Sequence, residues 1–131
     1  MNWTRFALAI VASGVAISIT DWFFFGFVFH GKYMKTPELW RATKESHKIA
    51  WSMFVAVCAA AFFLHFCWHF DVHGYHQTLS VAFFLWLAAA LPMVITNTLY
   101  IKYDPALAVS HSLGWLARFV VTALAYVLLM S

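Results

Sequence analysis

Four stretches of this chain are long and apolar enough to cross a bilayer, and no other feature restricts its folding as much. A spanning helix needs about 20 mostly apolar residues at a rise of about 1.5 Å each. Trp3–Phe29, Ile49–Phe70, Leu79–Ile101 and Ala106–Met130 all meet that requirement. The connecting segments Gly31–Lys48, Asp71–Thr78 and Lys102–Pro105 leave no room for a separate soluble domain. Because the second and third connections are short, neighbouring helices must run antiparallel. The expected fold is all-α: a single integral membrane domain over residues 1–131, with four transmembrane helices in an up-down-up-down bundle. The first stretch is also longer than the roughly 7–15 apolar residues of a secretory signal peptide, so it reads as a span.

Composition agrees. The chain is 64% hydrophobic, 20% aromatic and 10% charged, where a soluble domain has about 25% charged residues. That balance excludes an ordinary soluble domain, a disordered chain and a nucleic-acid partner. The net charge of +3 gathers in the first connection, at Lys32, Lys35, Arg41, Lys44 and Lys48. Lys102 lies in the third connection, and the second has neither Lys nor Arg. The tendency of positive loops to stay inside puts the first and third connections on the cytoplasmic face and both termini opposite, in a bacterial inner membrane; Arg5 alone opposes this. Within the first connection, Thr36 is an expected N-cap, with Pro37 at the first helical position and Glu38 in the first turn. A short interfacial helix carrying Leu39 and Trp40 toward Lys48 follows.

Ionisable side chains inside a bilayer need a partner or a wet cavity. Asp21 lies roughly 12 Å inside the end of the first span at Phe29, and Arg118 roughly 18 Å inside the start of the fourth at Ala106. The depths differ by about one helical turn, which an arginine side chain can reach across. An Asp21–Arg118 ion pair is therefore expected. His111, Gly114, Arg118 and Thr122 recur at helical spacing along one face, and Asn97 ends the third span at the same side, beyond a kink expected at Pro92. Asp21, Asn97, His111 and Arg118 form an expected polar intramembrane layer. It reads either as a network fixing helix register or as a substrate or proton site.

A second constellation, His65, His69, His73 and His76, occupies the opposite face. A spacing of four aligns His65, His69 and His73, and Gly74 offers a turn that can fold His76 back. Imidazoles so placed are candidate ligands for a metal or haem. The plainer reading is interfacial histidines beside Trp68 and Tyr75. Cys58 and Cys67 define neither a disulfide framework nor a repeated metal motif.

The run from Asp21 through Phe29, then Lys32, Tyr33 and Met34, Asn97-Thr98-Leu99-Tyr100, and His111-Ser112-Leu113-Gly114-Trp115 resembles the small four-helix bacterial membrane proteins grouped as domain of unknown function 1761. The resemblance implies fold and membrane location and carries no activity. No nucleophile with its base, phosphate-binding glycine loop or dinucleotide fingerprint is present. The aromatic runs Trp22–Phe25 and Phe83–Trp86 must present some rings to lipid or to a neighbour, and Ala59–Ala61 and Ala88–Ala90 allow close helix approach. The leading expectation is a non-enzymatic homo-oligomer or accessory subunit of a membrane complex, with the bilayer, itself or other membrane subunits as partners. A metal, haem or pigment protein using the histidine cluster, and a small transporter or proton pathway through the Asp21/Arg118 layer, are the alternatives.

Overall fold

In a computed structural model, which describes residues 1–102 and 104–131, every regular element is helical. Helix α1 (Trp3–Asp21) opens with the Asn2 side chain accepting from the Arg5 N–H at 3.2 Å, a local cap for an otherwise orphaned donor. It continues into a wide π turn, Trp22–Val28, and the two make a span of Trp3–Val28. A π turn brings residues five apart into register. The Trp22 and Phe27 rings stack at 6.3 Å, and the Phe29 N–H reaches the Phe24 carbonyl at 2.9 Å.

The first connection holds a short helix α2 (His30–Tyr33) and a single 3-10 turn, Pro37–Leu39. Helical turns therefore occupy this segment, but the cap expected at Thr36 is not made. Its buried hydroxyl has no hydrogen-bond partner among the described residues, and the chain leaves the turn at Trp40 in extended backbone. Helix α3 (Glu45–His69) begins before the apolar run expected from Ile49, because its first turn is polar and an apolar criterion misses it. Glu45 in that turn pairs with Lys48 at 2.7 Å.

The end of α3 depends on Asp71, which adopts left-handed backbone with φ 55°. The Val72 N–H then closes back on the Cys67 carbonyl at 2.9 Å while the Val72 side chain is buried, a Schellman-type stop with its hydrophobic contact. Helix α4 (Gly74–Leu85), a second π turn (Trp86–Ala90) and helix α5 (Leu91–Tyr100) make the third span. Pro92 lacks an N–H for the carbonyl of Ala88 and crowds it, and the wide turn immediately before it absorbs both effects. The third connection includes Tyr103, which lies outside the described residues. Helix α6 (Pro105–Leu129) starts with the Asp104 carboxylate accepting from the Ala106 N–H at 2.8 Å and with proline at its first position.

The four spans form the membrane bundle, and α6 is its hub, packing against α1, α3, α4 and α5. Small residues make this possible. Ser110, Ser112, Gly114, Ala123 and Ala125 are all buried on α6. Near the two termini Ala9, Phe63, Leu64, Cys67, Val72, Ala82, Ala123 and Tyr126 close an apolar core, and Ile17, Ala56 and Ala60 form a smaller cluster.

Candidate functional site

Asp21 at the end of α1 and Arg118 on α6 meet in a bidentate pair. Arg118 Nε donates to Asp21 Oδ1 at 3.0 Å and Nη2 donates to Oδ2 at 2.7 Å. Both side chains are largely shielded, at 11% and 17% exposed for Arg118 and Asp21. Charge-assisted bonds of this forked geometry are strong, and lipid around them weakens screening. The Trp115 ring lies 4.9 Å from the guanidinium carbon and adds a cation–π contact on a third side. The neighbouring Thr122 turns its hydroxyl back to the Arg118 carbonyl at 2.8 Å.

One to two turns nearer the connections a second polar group forms around Tyr33. Its hydroxyl donates to Ser110 Oγ at 3.2 Å and lies 3.4 Å from His111 Nε2. The Phe25 ring packs on both Tyr33 and His111, and it lies over Gly114, where an added Cβ would come within 2.9 Å of its Cζ. Trp40 folds back over Tyr33, its indole N–H donating to the Tyr33 carbonyl at 2.8 Å. Lys32 donates to Asp104 at 3.2 Å and ties the first connection to the third. The Ala106 N–H and then the Lys32 ammonium hold the Asp104 carboxyl below the usual carboxylate range.

Between α5 and α6 a cavity of about 320 Å³ remains open. Met93, Val94, Asn97 and Ile101 line it from α5, Leu107, His111 and Trp115 from α6, and Leu39 and Trp40 from the first connection. The expected polar layer thus divides into two neighbouring parts. Asp21 and Arg118 satisfy each other, whereas Asn97 and His111 face the cavity. Trp115 joins the parts, touching the guanidinium and lining the cavity.

At the other end the histidines spread out. His65 and His69 stack at 6.1 Å on the last turns of α3, His73 lies in the following turn 3.0 Å from Asp71, and His76 stands on the first turn of α4. Asp71 ends α3 in left-handed backbone and Gly74, also left-handed with φ 68°, opens α4, so His76 stands on the next helix and does not fold back onto α3. Among the described residues no three His, Cys, Asp or Glu side chains converge as a metal would require. Cys67 points into the apolar core, and it and Cys58 are free thiols.

Reading the sequence for charge and spacing missed Tyr33, Trp40, Trp115 and the Lys32–Asp104 tie. The last had a usable signal, since opposite charges flank two connections on the same side of the bundle. The aromatic residues had none beyond their position near span ends. No family model, curated protein or solved structure matches the chain.

Proposed function

We propose that this chain is a non-enzymatic subunit of a membrane assembly, associating with itself or with another membrane protein through the outer faces of its spans. The observation that carries this reading is the mutual saturation of Asp21 and Arg118. Both carboxylate oxygens and two guanidinium nitrogens are engaged, so these two charges act as a clamp between α1 and α6 and offer no free site to a proton or carried ion. The outward aromatic faces, with Trp51, Phe54 and Phe62 exposed on α3 and Phe83 and Phe84 on α4, supply contact surface for lipid or a neighbour. The lysine-rich first connection favours a cytoplasmic position in a bacterial inner membrane. The resemblance to domain of unknown function 1761 supports the membrane location and says nothing of activity.

Residue-specific crosslinking from α3 and α4 in native membranes tests the proposal, with mass measurement of particles extracted without detergent. A discrete multimer or a stoichiometric membrane partner is the expected result. A monomer that, reconstituted alone, moves protons or a solute with a rate abolished by Asp21→Asn at unchanged fold would overturn it in favour of a pathway.

A further inference from the structure

The cavity between α5 and α6 has a lining unlike the rest of the bundle surface. It combines two indole rings, Trp40 and Trp115, with two neutral polar side chains, Asn97 and His111, among apolar walls. The Asn97 amide makes no hydrogen bond to any described residue, although it stands within a membrane span. His111 uses only Nε2, against the Tyr33 hydroxyl. Among the described residues no charged side chain lines the cavity, and Arg118, behind Trp115, is occupied by Asp21.

These observations select the chemistry of an occupant. A charged headgroup would find no counter-charge in the lining and would lose its hydration without compensation. A plain alkyl chain would leave the amide and imidazole unsatisfied in a largely apolar setting. A neutral ring carrying carbonyl groups satisfies all three elements at once: its faces meet the indoles, and its carbonyl oxygens accept from the Asn97 amide and, with the Tyr33 hydroxyl turned to donate to Nε2, from His111 Nδ1–H. At about 320 Å³ the cavity lies at the small end of the roughly 300–1,000 Å³ range of ligand sites, room for a ring system and not for a whole lipid. The exposed Met93 and Ile101 at its edge face where lipid would lie, leaving a tail outside.

We propose that this cavity binds the head ring of a membrane-borne quinone. Leu39 and Trp40 of the first connection form its roof, held down by the Trp40 hydrogen bond to the Tyr33 carbonyl. The inference concerns binding alone and stands independently of the association reading, because the site lies within one chain.

The test uses the full chain in lipid nanodiscs with an azido-substituted short-chain benzoquinone as photolabel, decylubiquinone as competitor and decanol as a chain-only control. Saturable labelling on peptides containing Trp40, Asn97 or Trp115 is expected, displaced by decylubiquinone and not by decanol. Asn97→Leu removes no hydrogen bond to a described residue, so the fold should survive while the apparent affinity falls roughly tenfold. His111→Gln, which keeps a donor, should bind more tightly than His111→Phe. Labelling spread evenly over outward residues such as Trp51 and Phe62, equal displacement by decanol, or unchanged affinity in Asn97→Leu would each overturn the proposal.

Discussion

At the end of the bundle that carries both termini, Leu64, Cys67, Ala82, Ala123 and Tyr126 meet in a dry apolar core. At the end that carries the first and third connections the helices are joined by the Asp21–Arg118 pair, the Tyr33–Ser110 hydrogen bond and the Lys32–Asp104 tie, and a cavity stays open. The difference follows from the solvent. In lipid, apolar side chains gain nothing by leaving their surroundings, so helices adhere through close packing where small residues permit it and through polar contacts elsewhere. Ala9, Ala82 and Ala123 let the core of the first end close by packing, with the Gly74 N–H donating to Ser131 Oγ at its rim. At the second end the Trp22–Val28 π turn widens its helix and large rings intervene, so polar groups hold what packing does not.

The comparison breaks most clearly at the charge pair. Arg118→Met or Asp21→Leu leaves one charge uncompensated among apolar neighbours and should destabilise the bundle by about 3–5 kcal/mol, whereas the double variant should recover most of that loss. Leu64→Ala, although fully buried, should cost only about 1–2 kcal/mol. The usual ~2–5 kcal/mol of a water-soluble core includes a transfer component that is missing in lipid. Unfolding by SDS titration in mixed micelles measures all four variants. A Leu64→Ala loss equal to that of Arg118→Met would remove the proposed contrast between the two ends.

Two glycines sharpen it further. An added Cβ at Gly114 would come within 2.9 Å of the Phe25 ring, which is itself wedged against Tyr33 and His111, whereas at Gly14 the nearest atom, on Val57, is 3.6 Å away. Gly114→Ala should therefore cost about 1–3 kcal/mol through displacement of Phe25. Gly14→Ala should be neutral or stabilising by up to about 1 kcal/mol, since alanine is the better helix former and the contact is ordinary. The same titration reads both. Equal losses at the two positions would mean that the Phe25 contact does not set the close approach.

What the sequence revealed of each end depended on the physics involved. Long apolar runs have one outcome in a bilayer, so the spans were legible, and the depth of two isolated charges brought Asp21 and Arg118 together before any geometry was known. Features decided by local competition were not legible. Thr36-Pro37-Glu38 carries every sign of a helix start, yet only one 3-10 turn forms, and the chain then extends at Trp40 as the indole bonds the Tyr33 carbonyl. Gly74 does take the left-handed backbone expected of it, with φ 68°, but Asp71 takes a left-handed position before it and ends α3, because an aspartate tolerates that backbone and Val72 is then placed to be buried. Neither π turn had a signal of its own, though Pro92 marked the place where one was needed. The division of the polar layer into a pair and a cavity depends on which way Asn97 and His111 face, and spacing alone does not encode that.

The smallest expected effect is at the Lys32–Asp104 tie, which joins the two connections in a partly exposed setting. The Asp104 carboxyl is held below its ordinary value of 3.8, first by the Ala106 N–H and then by Lys32. A depressed carboxyl stabilises the folded chain at pH values above its unfolded value, and that contribution fades as the pH falls through the lower folded value. Asp104→Ala should therefore lower the thermal midpoint at pH 6, and the gap to the unaltered chain should shrink below about pH 4. Lys32→Met should narrow the gap only in part, because the N-cap to Ala106 survives it. If the difference held constant down to pH 3, the carboxylate charge would not be what links the two connections, and the cavity end would owe its closure to the Asp21–Arg118 pair and to the Tyr33 and Trp40 contacts.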